Sequence, residues 1–421
     1  MEFLNSRLMF GMQPGLKSTR RLAEYLGNPQ DSFDSIHVVG TNGKGSTSFY
    51  LANVLQAHGL SVGFFSSPHL VNLRERIRVD GLPISEEDLD ELLLLVKEGA
   101  RATAVEPTFF EVLTLVAFLY YQKKGVKVAV LEAGMGGRLD STAVACGKIA
   151  VLTSVGLEHT EVLGSTESAI LQEKLNVILP REGVSYIVGG IQGSLLDEAK
   201  NFALSGGASF TTPTIRQDIV LPNLGRHYVE NASLSLCAAS RYLGSLYNDG
   251  LALKTLAQCS WAGRMQLLKN NAGQVCYILD GAHNSHAVRR LVESLKLYFP
   301  GQKFHCIFGA LKDKDVDEML RLMAPFVSHW HLTKTDYQRF RELDDLAKIM
   351  AQLELSVASA AEISVPYLAK VLRASLNSES PSPVLITGSL YMIGSAVQLL
   401  KNDFEELDFF RGMTPSTNEH R

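Results

Sequence analysis

Short apolar runs and longer segments of helical period succeed one another along this chain. Residues 36–39 (IHVV) form a compact β-branched run that predicts a buried strand. A helical pattern follows through Leu51, Val54 and Leu55, with Gly59 placed to end it. Residues 62–65 predict a second strand. Residues 86–98 put Leu89, Leu92, Leu93 and Val96 on one side of a helix, and 109–121 read as a second, largely buried helix. Residues 126–131 predict a strong strand ending at Glu132, and 149–155 another ending just before Glu158 and His159. A helix over 165–179 stops at Pro180, and a strand follows over 184–188. Such alternation predicts a mostly parallel sheet with helices on both faces.

The pattern pauses over 206–226 and resumes with a helix near 228–243. Residues 258–273 read as a hinge leading into a second domain. There, strands are expected at 275–279, 304–308, 327–332 and 384–387, with helices near 285–298, 340–352 and 366–375 and one after the loop 309–315. The expected fold is therefore α/β: a P-loop-containing, mostly parallel sheet ATPase domain (1–260) plus a smaller Rossmann-like C-terminal domain (264–421). The second domain lacks the GxGxxG pattern, which weakens a dinucleotide role for it. A chain of 421 residues is too long for one ordinary core, in keeping with two.

The turn after the first strand carries the first chemical signal. Gly40-Thr41-Asn42-Gly43-Lys44-Gly45-Ser46-Thr47 joins strand to helix. Glycines there let backbone N–H groups curl around an anion, while the helix N-terminus and Lys44 add positive charge. The spacing departs from the standard P-loop, because two residues rather than four separate Gly40 from Gly43, and Gly45 stands between Lys44 and Ser46. Ligands in open parallel sheets sit at the carboxyl ends of strands, where residues 40–47, 66–69, 132 and 158–159 all fall. Glu132 could hold Mg²⁺ or simply meet solvent. His159 could ligate a metal, act as a base or be structural. Taken alone, Lys174 reads as a solvated helix lysine. Asp280 could bond a ribose; His283 could meet a phosphate or cap a helix; Arg264, near the hinge, could reach a phosphate or form a surface ion pair. Asn231, one turn beyond His227, could read an adenine edge or cap the helix. Phe109 and Phe110 could stack on a planar ring or pack in the core.

Bulk properties narrow the classes. A net charge of −4 lacks the basic footprint of a nucleic-acid binder. The longest apolar stretch, 112–121, is too short for a membrane span, and the N-terminus lacks a signal-peptide pattern. Five scattered cysteines without CxxC spacing argue against a disulfide framework or a zinc site and for the cytoplasm. The tail after Arg411 is polar and expected to fray.

Ten blocks then occur in order: VVGTNGKGSTS, FSSPHL with RERIRVDG, TFFEVLTLVAFLYY, VLEAGMGGRLDST, TSVGLEHTEVLG, QEK, LGRHYVENA, WAGRMQ, LDGAHN and TGSLYMIG. Together they resemble the folylpolyglutamate synthase/dihydrofolate synthase family of the Mur ligase superfamily, over nearly the whole chain. The resemblance implies an ATP-dependent amide ligase of the bifunctional bacterial type. It would form an acyl phosphate and join L-glutamate to dihydropteroate, then to reduced folates. A monofunctional dihydrofolate synthase is the near alternative, and a catalytically silent nucleotide-binding protein one of another class. By the family pattern, Thr41, Asn42, Gly43, Lys44, Gly45, Ser46 and Thr47 would cradle the ATP phosphates, and Asn231, Arg264, Asp280 and His283 would also contact ATP. Ser67 and Glu132 would hold one Mg²⁺, and His159 a second. Lys174 matches a lysine that is carbamylated in the family, which would make it a metal-binding anion. Lys174, His159 and Lys44 would be the catalytic set. The loop 66–78, including Pro68, His69 and Arg76, would border the pterin pocket with Phe110 and Asp140. The pattern is altered at Ala143, Leu175, Tyr228 and Ser285. No nucleic acid or membrane partner is expected, and the chain is expected to act as a monomer.

Overall fold

The computed structural model describes residues 2–7, 15–378 and 381–404; the tail after Arg411 lies outside them. Eight strands make the first sheet: β1 (Asp34–Val39), β2 (Val62–Phe65), β3 (Ile77–Val79), β4 (Leu82–Pro83), β5 (Val128–Glu132), β6 (Gly147–Leu152), β7 (Ser185–Val188) and β8 (Ser209–Thr211). Their order is β4-β3-β2-β5-β1-β6-β7-β8. From β2 to β8 every pairing is parallel, whereas β3 lies antiparallel to β2, and β4 to β3. In the centre, Ile36 of β1 stands opposite Val130 of β5 and Ile149 of β6.

The near-continuous apolar character of these strands follows from burial on both faces. Val128 and Val130 point into a core shared with helices Lys44–Ala57 and Arg226–Leu243, while Ala129 and Leu131 point into another under helices Glu86–Thr103 and Phe109–Lys124. Helix Phe109–Lys124 starts with a capping box: Thr108 accepts from the Glu111 N–H, and Glu111 accepts from that of Thr108.

The second sheet contains β9 (Gln266–Lys269), β10 (Val275–Asp280), β11 (Phe304–Phe308), β12 (Val327–Lys334), β13 (Val357–Glu362) and β14 (Val384–Thr387). Its order is β13-β12-β11-β14-β10-β9, parallel except for β9. Cys306 and Phe308 face one core and Ile307 the other, so this sheet too is covered on both sides.

Several expected boundaries shift for local reasons. The strand expected over 149–155 ends at Leu152, because the next residues bond the neighbouring turn: Thr153 N–H donates to Val39 O at 2.9 Å, and Ser154 O accepts from Thr41 N–H at 2.9 Å. The helix expected over 165–179 spans Glu167–Leu175, capped by the Thr166 hydroxyl and closed at Asn176. The pause at 206–226 conceals the edge strand β8. The β3–β4 hairpin was not expected, although its signal was present: Asp80 and Gly81 adopt φ of +49° and +79°, the left-handed pair that an Asp-Gly turn favours. Strand β13 and helices Lys17–Tyr25, Ser194–Ser205, Asp249–Leu256 and Leu390–Leu400 also add to the expected set.

Candidate active site

Strands β2, β5, β1 and β6 are consecutive neighbours. Their carboxyl ends therefore set residues 66–69, 132, 40–47 and 153–159 side by side along one rim, as the parallel topology requires.

The turn after β1 is held from β6's continuation. Thr41 Oγ1 donates to Gly156 O at 3.1 Å and accepts from Gly156 N–H at 3.0 Å. Thr153 Oγ1 donates to Asn42 O at 2.6 Å, and Asn42 N–H donates to Ser154 Oγ at 3.0 Å. Gly43 has φ +88°, and a Cβ there would stand 2.6 Å from Asn231 Oδ1, so only glycine allows this approach. Lys44 begins the helix, and its ammonium donates back to Gly40 O at 2.7 Å and Thr41 O at 3.2 Å. Ser46 and Thr47 are buried behind it.

Glu132, at the end of β5, is 4% exposed. Its Oε2 accepts from the Ser67 N–H at 3.0 Å. Burial pushes its carboxyl up to about 7, against the opposing pull of Lys44, the Ser67 N–H, Arg264 and Arg76. A Cβ on Gly45 would lie 3.5 Å from Glu132 Oε1, so the carboxylate faces the opening of the phosphate turn.

Lys174 is fully buried, and its ammonium donates to Glu158 Oε1 at 2.6 Å. Burial, then the charge of Lys44, push its amine down to about 8 although Glu158 opposes. Burial works against the Glu158 carboxylate, yet Lys44 and Lys174 hold it below the usual range. His159 has a left-handed backbone (φ +45°), and partial desolvation of its otherwise accessible ring lowers its pKa despite Glu158. Lys44 acts electrostatically on Glu132, Glu158, His159, Lys174 and His283, and thus is the common neighbour of both acidic groups.

The second sheet's side reaches the same turn. Asn42 Nδ2 donates to His286 Nδ1 at 2.9 Å, and Asn284 Nδ2 donates to Asn42 Oδ1 at 3.3 Å. Asn284 also caps helix Ser285–Tyr298, leaving His283 to donate from Nδ1 to Gly281 O at 2.8 Å; burial pushes His283 down to about 4. Asp280 Oδ2 accepts from Met265 N–H at 2.9 Å and from the Tyr228 hydroxyl at 3.2 Å, and Oδ1 accepts from Ala282 N–H at 2.9 Å. That leaves one lone-pair direction for a ligand. Arg264 packs against Gly281 and its charge acts on both Glu132 and Asp280. Asn231 lies inside helix Arg226–Leu243, and Gly225 is the N-cap, so Asn231 is not a cap.

The remaining expected residues lie on the loop after β2, at the start of helix Phe109–Lys124 and in the loop after β5. Arg76 is buried, donates from Nε to His69 Nδ1 at 2.9 Å and lies 5.5 Å over the Phe109 ring. Pro68 follows a cis peptide bond from Ser67. Phe110 packs 5.5 Å from Phe65 and covers Gly134, where a Cβ would meet its ring at 2.8 Å. Asp140 is saturated: Oδ2 accepts from Gly134 and Met135 N–H, and Oδ1 from Thr142 N–H and Oγ1. It therefore acts by shaping the glycine-rich loop rather than through a free oxygen.

Sequence reasoning placed Glu158 at the strand-end rim without giving it a role, and passed over Asn284 and His286. The position of Glu158, next to His159 at a strand end, was the available signal. For His286 none existed, since its partner Asn42 is 244 residues distant in the chain. Among the described residues, no three carboxylate, imidazole or thiol side chains converge as a metal cluster.

Residues 38–188 match the Mur ligase middle domain, and residues 263–390 the Mur ligase glutamate ligase domain. A Bacillus subtilis protein named dihydrofolate synthase/folylpolyglutamate synthase is 32% identical over 432 residues, covering 95% of this chain and 98% of its own. The solved structure of E. coli FolC in complex with DHPP and ADP is similar with a TM-score of 0.82 and 25% identity, covering 95% of this chain and 96% of that one. A Yersinia pestis bifunctional folylpolyglutamate synthase/dihydrofolate synthase complexed with AMPPNP and Mn ion gives a TM-score of 0.80 at 27% identity, covering 95% and 96%.

Proposed function

Because the chain belongs to the dihydrofolate synthase/folylpolyglutamate synthase family of Mur ligases, it is an ATP-dependent ligase, and we propose how its residues serve that reaction. It joins L-glutamate to dihydropteroate and adds further glutamates to reduced folates. ATP phosphorylates the substrate carboxylate, and the α-amine of glutamate displaces phosphate from the acyl phosphate. The observation that carries this reading is the Lys44 turn facing buried Glu132 at the rim where β1, β5 and β6 end, with the buried Lys174–Glu158 ion pair within reach of the Lys44 charge.

In this reading the N–H groups of residues 41–47 and the N-terminus of helix Lys44–Ala57 cradle the phosphates. Lys44 leaves its two backbone carbonyls to neutralise them. Arg264 and His283 approach from the second domain, which we place at 264–421 after a first domain of 1–260. Asn231 and Asp280, with its remaining lone pair, serve the nucleoside. The Asn42 contacts with Asn284 and His286 keep the domains closed and water away from the acyl phosphate.

The residues present fit a divalent cation. Glu132 is a buried carboxylate with a single N–H partner among the described residues, that of Ser67, whose side chain carries a hydroxyl. Hard oxygen donors, few in number and completed by phosphate oxygens, suit Mg²⁺. When bound, Mg²⁺ neutralises phosphate charge and polarises the transferred group. A second Mg²⁺ would rest on His159 and a carbamylated Lys174. Burial already favours the neutral amine that carbamylation requires. Pro68, His69, Arg76, Phe110 and Asp140 border the pterin pocket. None of the five cysteines forms a disulfide, which suits a reducing cytoplasm, where the chain acts as a monomer. Among the described residues no helix is long and apolar enough to cross a membrane.

The test is phosphate release from ATP with purified protein. Release is expected only when glutamate and either dihydropteroate or a reduced folate are both present; release independent of any pterin overturns the folate reading.

A further inference from the structure

Outside the site just described, one groove stands apart by its charge. It has a volume of about 680 Å³ and is walled by Lys17, Arg20, Arg21 and Glu24 on one side and by Arg138 and Leu139 on the other. Four cations thus face one carboxylate. Arg138 is bound to Glu173 through Nε at 2.9 Å and Nη2 at 2.7 Å, but among the described residues Lys17, Arg20 and Arg21 have no acidic partner. All three are exposed. They stand on the first turns of helix Lys17–Tyr25, whose N-cap, Leu16, offers no side-chain acceptor, so the first-turn N–H groups add to the positive field.

The groove adjoins residues that the reading above assigns to the pterin. Thr19, on the same helix, donates to Glu111 at 2.9 Å, beside Phe110. Leu139 directly precedes Asp140, which holds the loop that Phe110 covers. A folate whose terminal carboxylate stays at the phosphate turn must accommodate each added glutamate between that turn and its pterin. Every addition brings one more α-carboxylate. A basic, open groove beside Phe110 and the loop over 134–140 suits a flexible polyanion of variable length, since long-range attraction needs no fixed register.

We propose that this groove binds the oligo-γ-glutamate tail of the folate substrate. The inference rests on the ligase reading above and adds to it a place for the growing product. Lys17, Arg20 and Arg21 hold the α-carboxylates of successive glutamates while the pterin end shifts outward.

The experiment compares Arg20→Gln/Arg21→Gln with wild type on dihydropteroate and on a triglutamyl reduced folate. The KM for the triglutamyl substrate should rise about five- to tenfold, the sum of two exposed charge contacts. The KM for dihydropteroate and the thermal midpoint should not change. Arg20→Lys/Arg21→Lys should restore affinity, and about 0.5 M NaCl should erase the difference. Equal rises for both substrates, or no rise for the triglutamyl one, overturn the proposal. So does a wild type that uses dihydropteroate but no glutamylated folate, and in that case the ligase reading still stands. A wild type that uses neither overturns the ligase reading itself.

Discussion

At the scale of single residues, the environment makes groups of ordinary type behave differently. Lys174 looked like any helix lysine in the sequence. In the structure it is fully buried against Glu158, with its amine pushed down to about 8 by burial and by Lys44. Replacing it should therefore affect chemistry more than ligand binding. For Lys174→Ala we expect turnover to drop by at least about a hundredfold, while affinity for a non-hydrolysable ATP analogue changes by less than about tenfold. Phosphate release and calorimetric titration measure the two, and unchanged turnover would remove Lys174 from the reaction. Glu132 shows the same dependence on surroundings. An acid at a strand end can simply meet solvent; this one is enclosed and raised to about 7. The sequence put Glu132 at the end of its strand, where it stands, but only burial shows that its charge needs a partner.

At the scale of elements, the loop over 134–140 is fitted to the helix that carries Lys174. A Cβ on Gly137 would lie 2.6 Å from Lys174 O and 2.7 Å from Glu173 O, both backbone atoms with little freedom to retreat. Gly137→Ala should therefore displace loop from helix, costing about 1–3 kcal/mol of stability. Urea unfolding should show that loss, with a fall in turnover alongside; a variant with wild-type stability would mean that the loop gives way freely. The strands here were legible because both faces of the sheet are buried and each reads as an apolar run. The hairpin β3–β4 and helix Leu390–Leu400 were not read. The hairpin's strands span only three and two residues, too few for alternation to register. The helix was missed although Ile393, Ala396, Val397 and Leu400 recur at helical spacing on its buried face.

At the scale of the whole molecule, buried histidines govern the response to pH. His37 is fully buried, and burial pushes it from its ordinary 6.5 down to about 4. Burial likewise lowers His69, His227, His283, His305 and His331. Below 6.5 the unfolded chain takes up protons that the folded chain refuses until about 4, so stability falls as pH drops through that interval. For His37 alone the loss between pH 7 and 5 is about 2 kcal/mol at most. The buried acids Glu132, Asp140 and Asp280, raised by burial, act oppositely but are fewer. The urea midpoint should be lower at pH 5 than at pH 7, and His37→Gln should reduce the difference; an equal or higher midpoint at pH 5 contradicts this. The chain's own order of apolar runs and turns determined the two α/β sheets, the phosphate turn and the strand ends that carry the polar groups, because those features follow from periods of a few residues. Only the tertiary structure decided that Lys174 meets Glu158, that Asn42 meets His286 and Asn284, and that a basic groove lies beside Phe110. Those contacts join residues far apart in the chain, and burial and field at a point are set by everything packed around it.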